Sequence, residues 1–341
     1  MARQLRVKYA GAIYHVTVRS NGDAALFGND FDRRYLLGRI GEAVETYHVR
    51  VYLFCLMRNH FHLLVETPRA NLGAFMQGVL TGYGVHFNRV HRSHGHVTQG
   101  RYGARLVEGA EYLLKLSRYV HLNPVKTGAM AAKPLEERRA YLGQYPWSSF
   151  QGYVGLSARN EFVDYGAVLA LMGGRQSEQS RRYREFVEDG IAADDEEFQA
   201  ILGRSVRSIG SDRFREWVDR GYRELAERQP VPQDVAFRRI GQVLSAERIL
   251  EAVAQVAKVT PEELRIRRRD SRWRGVASRM LCRYGGLTQR AAAALLGVQT
   301  GVAVSCQIRN LSRLVKSEAA FGRLVQNLEQ RLDRQLKNEQ R

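Results

Sequence analysis

The stretch Val51–Glu66, VYLFCLMRNHFHLLVE, most constrains what this chain can fold into. Two apolar runs, Val51–Met57 and His60–Glu66, flank the polar pair Arg58-Asn59, which predicts two strands joined by a turn. Along a strand, residues i and i+2 share a face, so His60 and His62 project together while Phe61 and Leu63 point the other way. Two imidazoles side by side on a stiff strand have the geometry of a chelate, with positions left for substrate oxygen or a third protein ligand. The same pair also suits two hydrogen-bonded histidines on a partly buried sheet face, and spacing alone does not choose between them.

Around this hairpin the first 150 residues alternate between the two periodicities. Ala12–Arg19 (AIYHVTVR) alternates as a strand, Asp32–Tyr47 carries apolar residues at helical spacing, and Leu72–Arg89 and Glu111–Leu122 read as helices. That order predicts an α+β domain over residues 1–150, one antiparallel sheet covered by helices. After Tyr145-Pro146-Trp147-Ser148-Ser149-Phe150 the apolar spacing becomes helical. Residues 151–234 read as a helical connector with linker-like stretches at Ala192–Glu197 and Arg228–Asp234, and 235–341 as an all-helical domain.

At 341 residues with 44% hydrophobic side chains, the chain can build two or three cores. Its longest apolar runs fall far short of the roughly 20 residues that span a bilayer, and Met1–Ala10 lacks a signal-peptide hydrophobic region, so the expected setting is cytoplasmic with no membrane partner. Cys55, Cys282 and Cys306 are too scattered for a disulfide framework or a thiolate zinc site and read as buried or incidental. The formal charge of +18 favours a polyanionic partner, nucleic acid first, and from Val231 onward 21 basic residues stand against 10 acidic ones. The histidine-rich segment His86–His96, interleaved with Arg89, Arg92 and Gly95, reads as a basic loop able to touch DNA backbone rather than as a metal site.

Leu113, Leu116 and Val120 give Glu111–Leu122 an apolar stripe that can pack on the sheet, with Tyr119 on an adjoining face. Asn123 lies four residues on, about one turn away, so a phenol and an amide carbonyl can both face the two histidines. Pro124 disfavours helical geometry at Asn123, which predicts that the amide sits at the helix end. A phenol with pKa about 10 is a poor nucleophile at neutral pH unless a metal polarises its target or cations stand near, and Arg101, Lys115, Arg118 and Lys126 are the cations available.

Taken together these residues resemble the REP-associated tyrosine transposases, a branch of the single-tyrosine HUH nucleases. The run Met57-Arg58-Asn59-His60-Phe61-His62 is similar to that family's Met-Pro-Asn-His-x-His, and Tyr119 followed by Asn123-Pro124-Val125-Lys126 is similar to its nucleophile motif. Gln99-Gly100-Arg101-Tyr102 and Trp147-Ser148-Ser149-Phe150 match further motifs in the same order, over roughly Met1–Phe150. Arg58 stands where the family has proline, adding a cation and removing no ligand.

The resemblance implies an HUH, ferredoxin-like sandwich in which His60, His62 and the Asn123 side-chain oxygen hold one divalent ion, Mg²⁺ or Mn²⁺. It implies attack by Tyr119 on a phosphate of single-stranded or hairpin, REP-like DNA, giving a 5′-phosphotyrosine link and a free 3′-hydroxyl. Gln99 and Arg101 would lie near DNA, and a homodimer would let Tyr119 act across an interface.

In the last third, Gly286–Leu314 reads as a helix-turn-helix: Thr288 caps a first helix, Gly297 ends it, and Thr300–Leu314 forms a second. A second helix placed in the major groove nominates Thr300, Ser305, Gln307 and Arg309 as readers of bases or phosphates. The upstream run Arg265–Arg274, with Arg267, Arg268, Arg269 and Arg272, is suited to clamp phosphates. Over about Glu247–Leu332 the arrangement is similar to the DNA-binding domain of the DnaA replication initiators, although that domain's Asp-His-Ser/Thr signature is missing near Val298–Val302. The expected function is therefore a metal- and tyrosine-dependent DNA strand transferase. Its rivals are a non-catalytic DNA-binding regulator with a structural metal site and a nuclease in which metal-bound water attacks.

Overall fold

The structure is a computed structural model and describes residues 6–22, 24–193, 195–227, 244–266 and 272–338. Strand β1 (Ala12–Arg19) is followed by helix α1 (Asp30–Tyr47), the hairpin β2 (Arg50–Leu56) and β3 (His60–Thr67), helix α2 (Leu72–Val90), strand β4 (Gly103–Val107) and helix α3 (Gly109–Lys126). β4 is absent from the sequence reading because its five residues, GARLV, are too few to show a period of two.

Helix α1 starts where its sequence says it must. The Asn29 side chain accepts a hydrogen bond from the Asp32 amide and the Asp32 carboxylate accepts one from the Asn29 amide, a capping box with two acidic residues in the first turn. Leu36, Ile40, Ala43 and Tyr47 form its buried stripe.

In the sheet, β3 pairs antiparallel with β2 on one side and β1 on the other, and β4 extends β1, again antiparallel. The expected antiparallel sheet is thus four strands wide. A fifth strand makes it mixed: β5 (Ser208–Ile209) runs parallel to β4. Before it the chain forms helices α4 (Leu135–Gln144), α5 (Phe150–Val154), α6 (Tyr165–Leu169), α7 (Gln176–Ala192) and α8 (Glu196–Arg204). Residues 151–227 therefore do more than connect. They contribute a strand, and Val163 bridges to Val51 of β2. Linker-like Ala192–Glu197 holds Asp195, whose side chain caps α8, while Arg228–Asp234 lies outside the described residues.

The Trp147–Phe150 segment covers the outer edge of β2. Leu56 N donates to the Trp147 carbonyl (2.8 Å) and Ser149 N to the Phe54 carbonyl (3.0 Å), satisfying backbone groups an exposed edge strand would leave open. Ser149 Oγ also lies 2.9 Å from Nε2 of the fully buried His121 in α3, whose Nδ1 is 2.8 Å from the Tyr183 hydroxyl of α7. One histidine thereby ties α3 to the sheet edge and to α7.

Beyond α9 (Asp212–Glu227) come α10 (Ala246–Ala257), α11 (Arg272–Tyr284), α12 (Gln289–Leu295), α13 (Gly301–Ser317) and α14 (Ala319–Asn338), packed around Ile249, Val253, Met280, Val304 and Leu328. Thr288 caps α12 and Gly297 takes the left-handed conformation (φ 62°) just past it, as the sequence predicts, while Thr300, expected as the first residue of the second helix and a reader of DNA, is the residue that caps α13. This bundle docks on α1: Arg283 donates to the Glu45 carbonyl (2.7 Å), and Arg309 pairs with Glu42 (3.0 Å). Cys55 and Cys282 are buried and Cys306 on α13 is exposed, and all three are free thiols. Among the described residues no helix is long and apolar enough to cross a membrane.

Candidate active site

The register of β1 against β3 builds one half of the site. Thr17 stands opposite His62 and Arg19 opposite His60, so His15, Thr17, Arg19, His60 and His62 share a sheet face, with Arg105 of β4 opposite His15. The imidazoles of His60 and His62 meet edge to face, centroids 4.9 Å apart, as the two-residue spacing requires. His15 completes a cluster the sequence reading did not nominate: its ring stacks on His62 at 5.1 Å, with Nε2 2.8 Å from His62 Nδ1. His60 Nδ1 lies 2.8 Å from Asn59 Oδ1, an acceptor, which leaves Nε2 as its lone-pair nitrogen.

Burial keeps these rings neutral. It drives the His15 pKa down to about 3, with Arg105 adding to the effect, and pushes His62 well below the ordinary value, helped by His15 and His60. His60 is lowered by burial and then by Arg19. Neutral imidazole is the form that binds a metal. His62 Nε2 is buried with no hydrogen-bond partner, as is His15 Nδ1. An orphaned imidazole nitrogen beside a second oriented imidazole fits a divalent ion. Among the described residues no three His, Cys, Asp or Glu side chains form a metal cluster by themselves, so a third protein ligand would have to come from another residue type.

Helix α3 supplies the other half. The Tyr119 ring lies 6.5 Å from His15 and 6.4 Å from His62, edge-on to both. Asn123 is not at the helix end. The helix runs on through Pro124 to Lys126, because Asn123 Nδ2 donates to the Val120 carbonyl (3.3 Å), the acceptor deprived of its donor by the proline, and to the Tyr119 carbonyl (2.9 Å). Asn123 makes its hydrogen bonds to these carbonyls and none to His60 or His62. It lines a cavity of about 640 Å³ with Tyr119, Lys115, Arg118, Lys126 and Arg138.

Residues of α7 and α8 line the same cavity. Arg118 pairs with Asp195 (2.6 Å), Lys115 with Glu111 (3.0 Å) and Glu197 (3.8 Å), and Lys126 Nζ donates to the Ala193 carbonyl (3.0 Å). Phe198 packs edge-on to Tyr119 at 6.3 Å. Three of the four cations expected near the phenol are there, Lys115, Arg118 and Lys126, engaged by the chain's own acceptors, whereas Arg101 is not among the residues lining this cavity. Arg105, half-buried on β4 and donating to the Leu202 carbonyl (2.7 Å), feels the Tyr119 phenol, which counteracts part of the lowering that burial imposes on it.

The remaining residues with expected DNA contacts scatter. Arg58, Gln99 and Arg101 are exposed. Arg101 lines a second cavity of about 1030 Å³ with Arg6, Lys8 and Arg69, bounded on its far side by Ser245–Glu247 and Gly286–Thr288. Arg272 pairs with Glu318 (2.9 Å), Ser305 accepts from Arg39 (3.4 Å) and Gln307 from Ser278 (3.0 Å). Arg267, Arg268 and Arg269 lie outside the described residues. The His86–His96 segment is more anchored than a free loop: His86 and His91 both reach the buried Asp32, at 3.3 and 2.8 Å, while His94 and His96 are exposed.

Sequence reasoning missed His15, Arg19 and Arg105. Their common signal is strand parity: His15, Thr17 and Arg19 alternate along AIYHVTVR, but only the register shows that they meet His60 and His62.

The fold and site thus define a mixed sheet that sets paired neutral histidines against a helical tyrosine. Residues 8–123 match the family model described as Transposase IS200 like. Among solved structures, the chain is similar to a REP-associated tyrosine transposase bound to a REP hairpin, with 16% identity and a TM-score of 0.38, covering 51% of this chain and 98% of that one. None of the curated proteins matches it.

Proposed function

We propose that this chain is a metal-dependent single-strand DNA endonuclease and strand transferase, a transposase acting on hairpin-containing, REP-like DNA through a tyrosine-linked intermediate. The observation that carries this reading is Tyr119, 6.4 Å ring to ring from a His62 whose buried Nε2 has no partner. The match of residues 8–123 to IS200-like transposases supports it. His60 and His62 would hold the ion, with the Asn123 side-chain oxygen as third ligand once DNA displaces the present arrangement. A divalent ion bound there supplies Lewis-acid polarisation of the scissile phosphate.

The chain's own residues then account for the exchange. The Tyr119 hydroxyl oxygen bonds to phosphorus, the bond from phosphorus to the 3′-oxygen breaks, and the phenol's proton ends on that oxygen. The products are a 5′-phosphotyrosine and a free 3′-hydroxyl. Arg105 stands where it stabilises charge on the phenol oxygen, and Arg19 stands beside His60, where a phosphate would arrive. The cations lining the larger cavity, Arg6, Lys8 and Arg101, offer backbone contacts to the flanking DNA.

One observation favours a second reading, a DNA-binding regulator: Asp195, Glu197 and Phe198 already occupy the surroundings of Tyr119. Labelled hairpin-containing single-stranded DNA, incubated with the protein and Mn²⁺ or Mg²⁺ and run on a denaturing gel, separates the readings. A protein-linked band is expected in the wild type and absent in Tyr119→Phe and His60→Ala, a loss of roughly 10³-fold or more. Tight binding without any adduct favours the regulator, and nicking retained by Tyr119→Phe favours metal-activated water.

A further inference from the structure

His15 takes no part in the reaction as described, yet it is the closest polar neighbour of His62. It is 2% exposed, its Nε2 is 2.8 Å from His62 Nδ1, and the nearest competitor for that nitrogen, Thr17 Oγ1, is 3.4 Å away. Two neutral imidazoles at 2.8 Å share one hydrogen, and who donates it decides what His62 can do. If His15 donates, His62 carries its own hydrogen on Nε2 and has no lone pair there for an ion. If His62 donates, its Nε2 lone pair is open and His15 is protonated at Nδ1. Each choice leaves one buried N–H without a partner, on His62 Nε2 or on His15 Nδ1. The protein alone therefore leaves the two nearly balanced, and the difference is made by what binds at Nε2.

We infer that His15 is a positioning residue for the metal site: it accepts the Nδ1–H of His62 and thereby fixes the His62 ring in the orientation and tautomer that present Nε2 to a divalent ion. This rests on the metal role proposed above for His60 and His62. It gives His15 the place that carboxylates and backbone carbonyls commonly take behind a metal-bound imidazole. The strand geometry makes the contact rigid, since His15 and Thr17 are adjacent positions on one face of β1 and Thr17 is locked opposite His62.

The test measures Mn²⁺ affinity by calorimetry in wild type, His15→Phe, His15→Gln and His60→Ala, without DNA, and reads the His15 tautomer in ¹⁵N-histidine-labelled, Mg²⁺-saturated wild type by long-range ¹H–¹⁵N NMR. His15→Phe keeps a flat ring but no acceptor, and its Mn²⁺ affinity is expected to fall ten- to a hundredfold. His15→Gln, whose carbonyl oxygen reaches the position of Nε2, is expected to recover most of that loss. In the loaded wild type, His15 is expected as the Nδ1–H tautomer. An unchanged affinity in folded His15→Phe, or His15 found as the Nε2–H tautomer, overturns the inference while leaving the metal site in place. Absence of Mn²⁺ binding in the wild type, or binding indifferent to His60→Ala, overturns the metal site and this inference with it. Should His15→Phe fail to fold, the NMR measurement on the wild type decides alone.

Discussion

The two halves of the candidate site are prepared in opposite ways. On the sheet, His15, His60 and His62 are kept neutral by burial, and the Nε2 atom of His62 has nothing bound to it. On the helical side, Lys115, Arg118 and Lys126 surround Tyr119, but each already has an acceptor within the chain. A buried neutral nitrogen without a partner costs less than a buried unpaired charge, whereas clustered cations repel one another until acids or phosphates neutralise them. The difference teaches that, on the function proposed above, the sheet half would take its ion as it stands, while the helical half would have to exchange partners before DNA phosphates could take their places.

The strongest way to break this pairing of halves is through His121, which joins α3 to the sheet edge. Its ring sits edge-on to Phe150, Tyr153 and Tyr183. His121→Phe keeps that packing but removes the bonds to Ser149 and the Tyr183 hydroxyl, and is expected to destabilise the fold by about 1–2 kcal/mol in urea unfolding. Burial lowers the His121 pKa from 6.5 to about 3. Between those values the unfolded chain binds a proton that the folded chain refuses, so stability is complete above about pH 6.5 and falls as pH drops toward 3. Lowering the pH from 7.5 to 5.5 should cost the wild type about 1 kcal/mol through this histidine. The His121→Phe variant should lose correspondingly less over the same range. Equal pH slopes in the two proteins would show that His121 is not held neutral.

How much of this was legible in the sequence follows from the range of each interaction. The His60–His62 pair and the Thr288 and Gly297 caps are set by neighbours a few residues away, so local spacing located them, whereas the reading of α1 began at Asp32, two residues inside the helix that Asn29 caps. Strand β4 was too short to carry a period, and β5 depends on a partner a hundred residues earlier. The proline rule misplaces Asn123 because it takes no account of what else can take up the freed Val120 carbonyl. The Asn123 side chain does so. His15 and Arg105 became site residues through register. Asp195 and Glu197, read as linker, became partners of the site's cations through packing of α7 and α8 that no local pattern encodes.

The exchange of partners on the helical side can be sharpened directly. Asp195→Asn with Glu197→Gln removes both carboxylates while asparagine still caps α8. Freed of these acids, Arg118 and Lys115 should bind single-stranded DNA more tightly, on the order of 3- to 10-fold at low salt. The slope of log affinity against log salt should steepen by about 0.7 for each phosphate newly contacted. Fluorescence anisotropy across a salt series reads both, and an unchanged slope would mean that these cations serve the fold rather than the nucleic acid.

The smallest effect is expected at the docking of the helical bundle, where α13 presents Arg309 to Glu42 of α1. Both side chains are about two-fifths exposed, so water and salt screen the pair, and Arg309→Ala should change stability by under about 0.5 kcal/mol. Glu42→Gln is the more telling variant, because it leaves Arg309 in place and removes the carboxylate that it shares with Arg39 of α1. With Ser305 and Gln307 on the same helix also bonded within the chain, freeing one arginine should alter duplex DNA affinity less than about twofold. A larger gain would show that α1 masks a DNA-reading helix, and the bundle would then resemble the tyrosine side of the site, holding its cations on internal acids until DNA arrives.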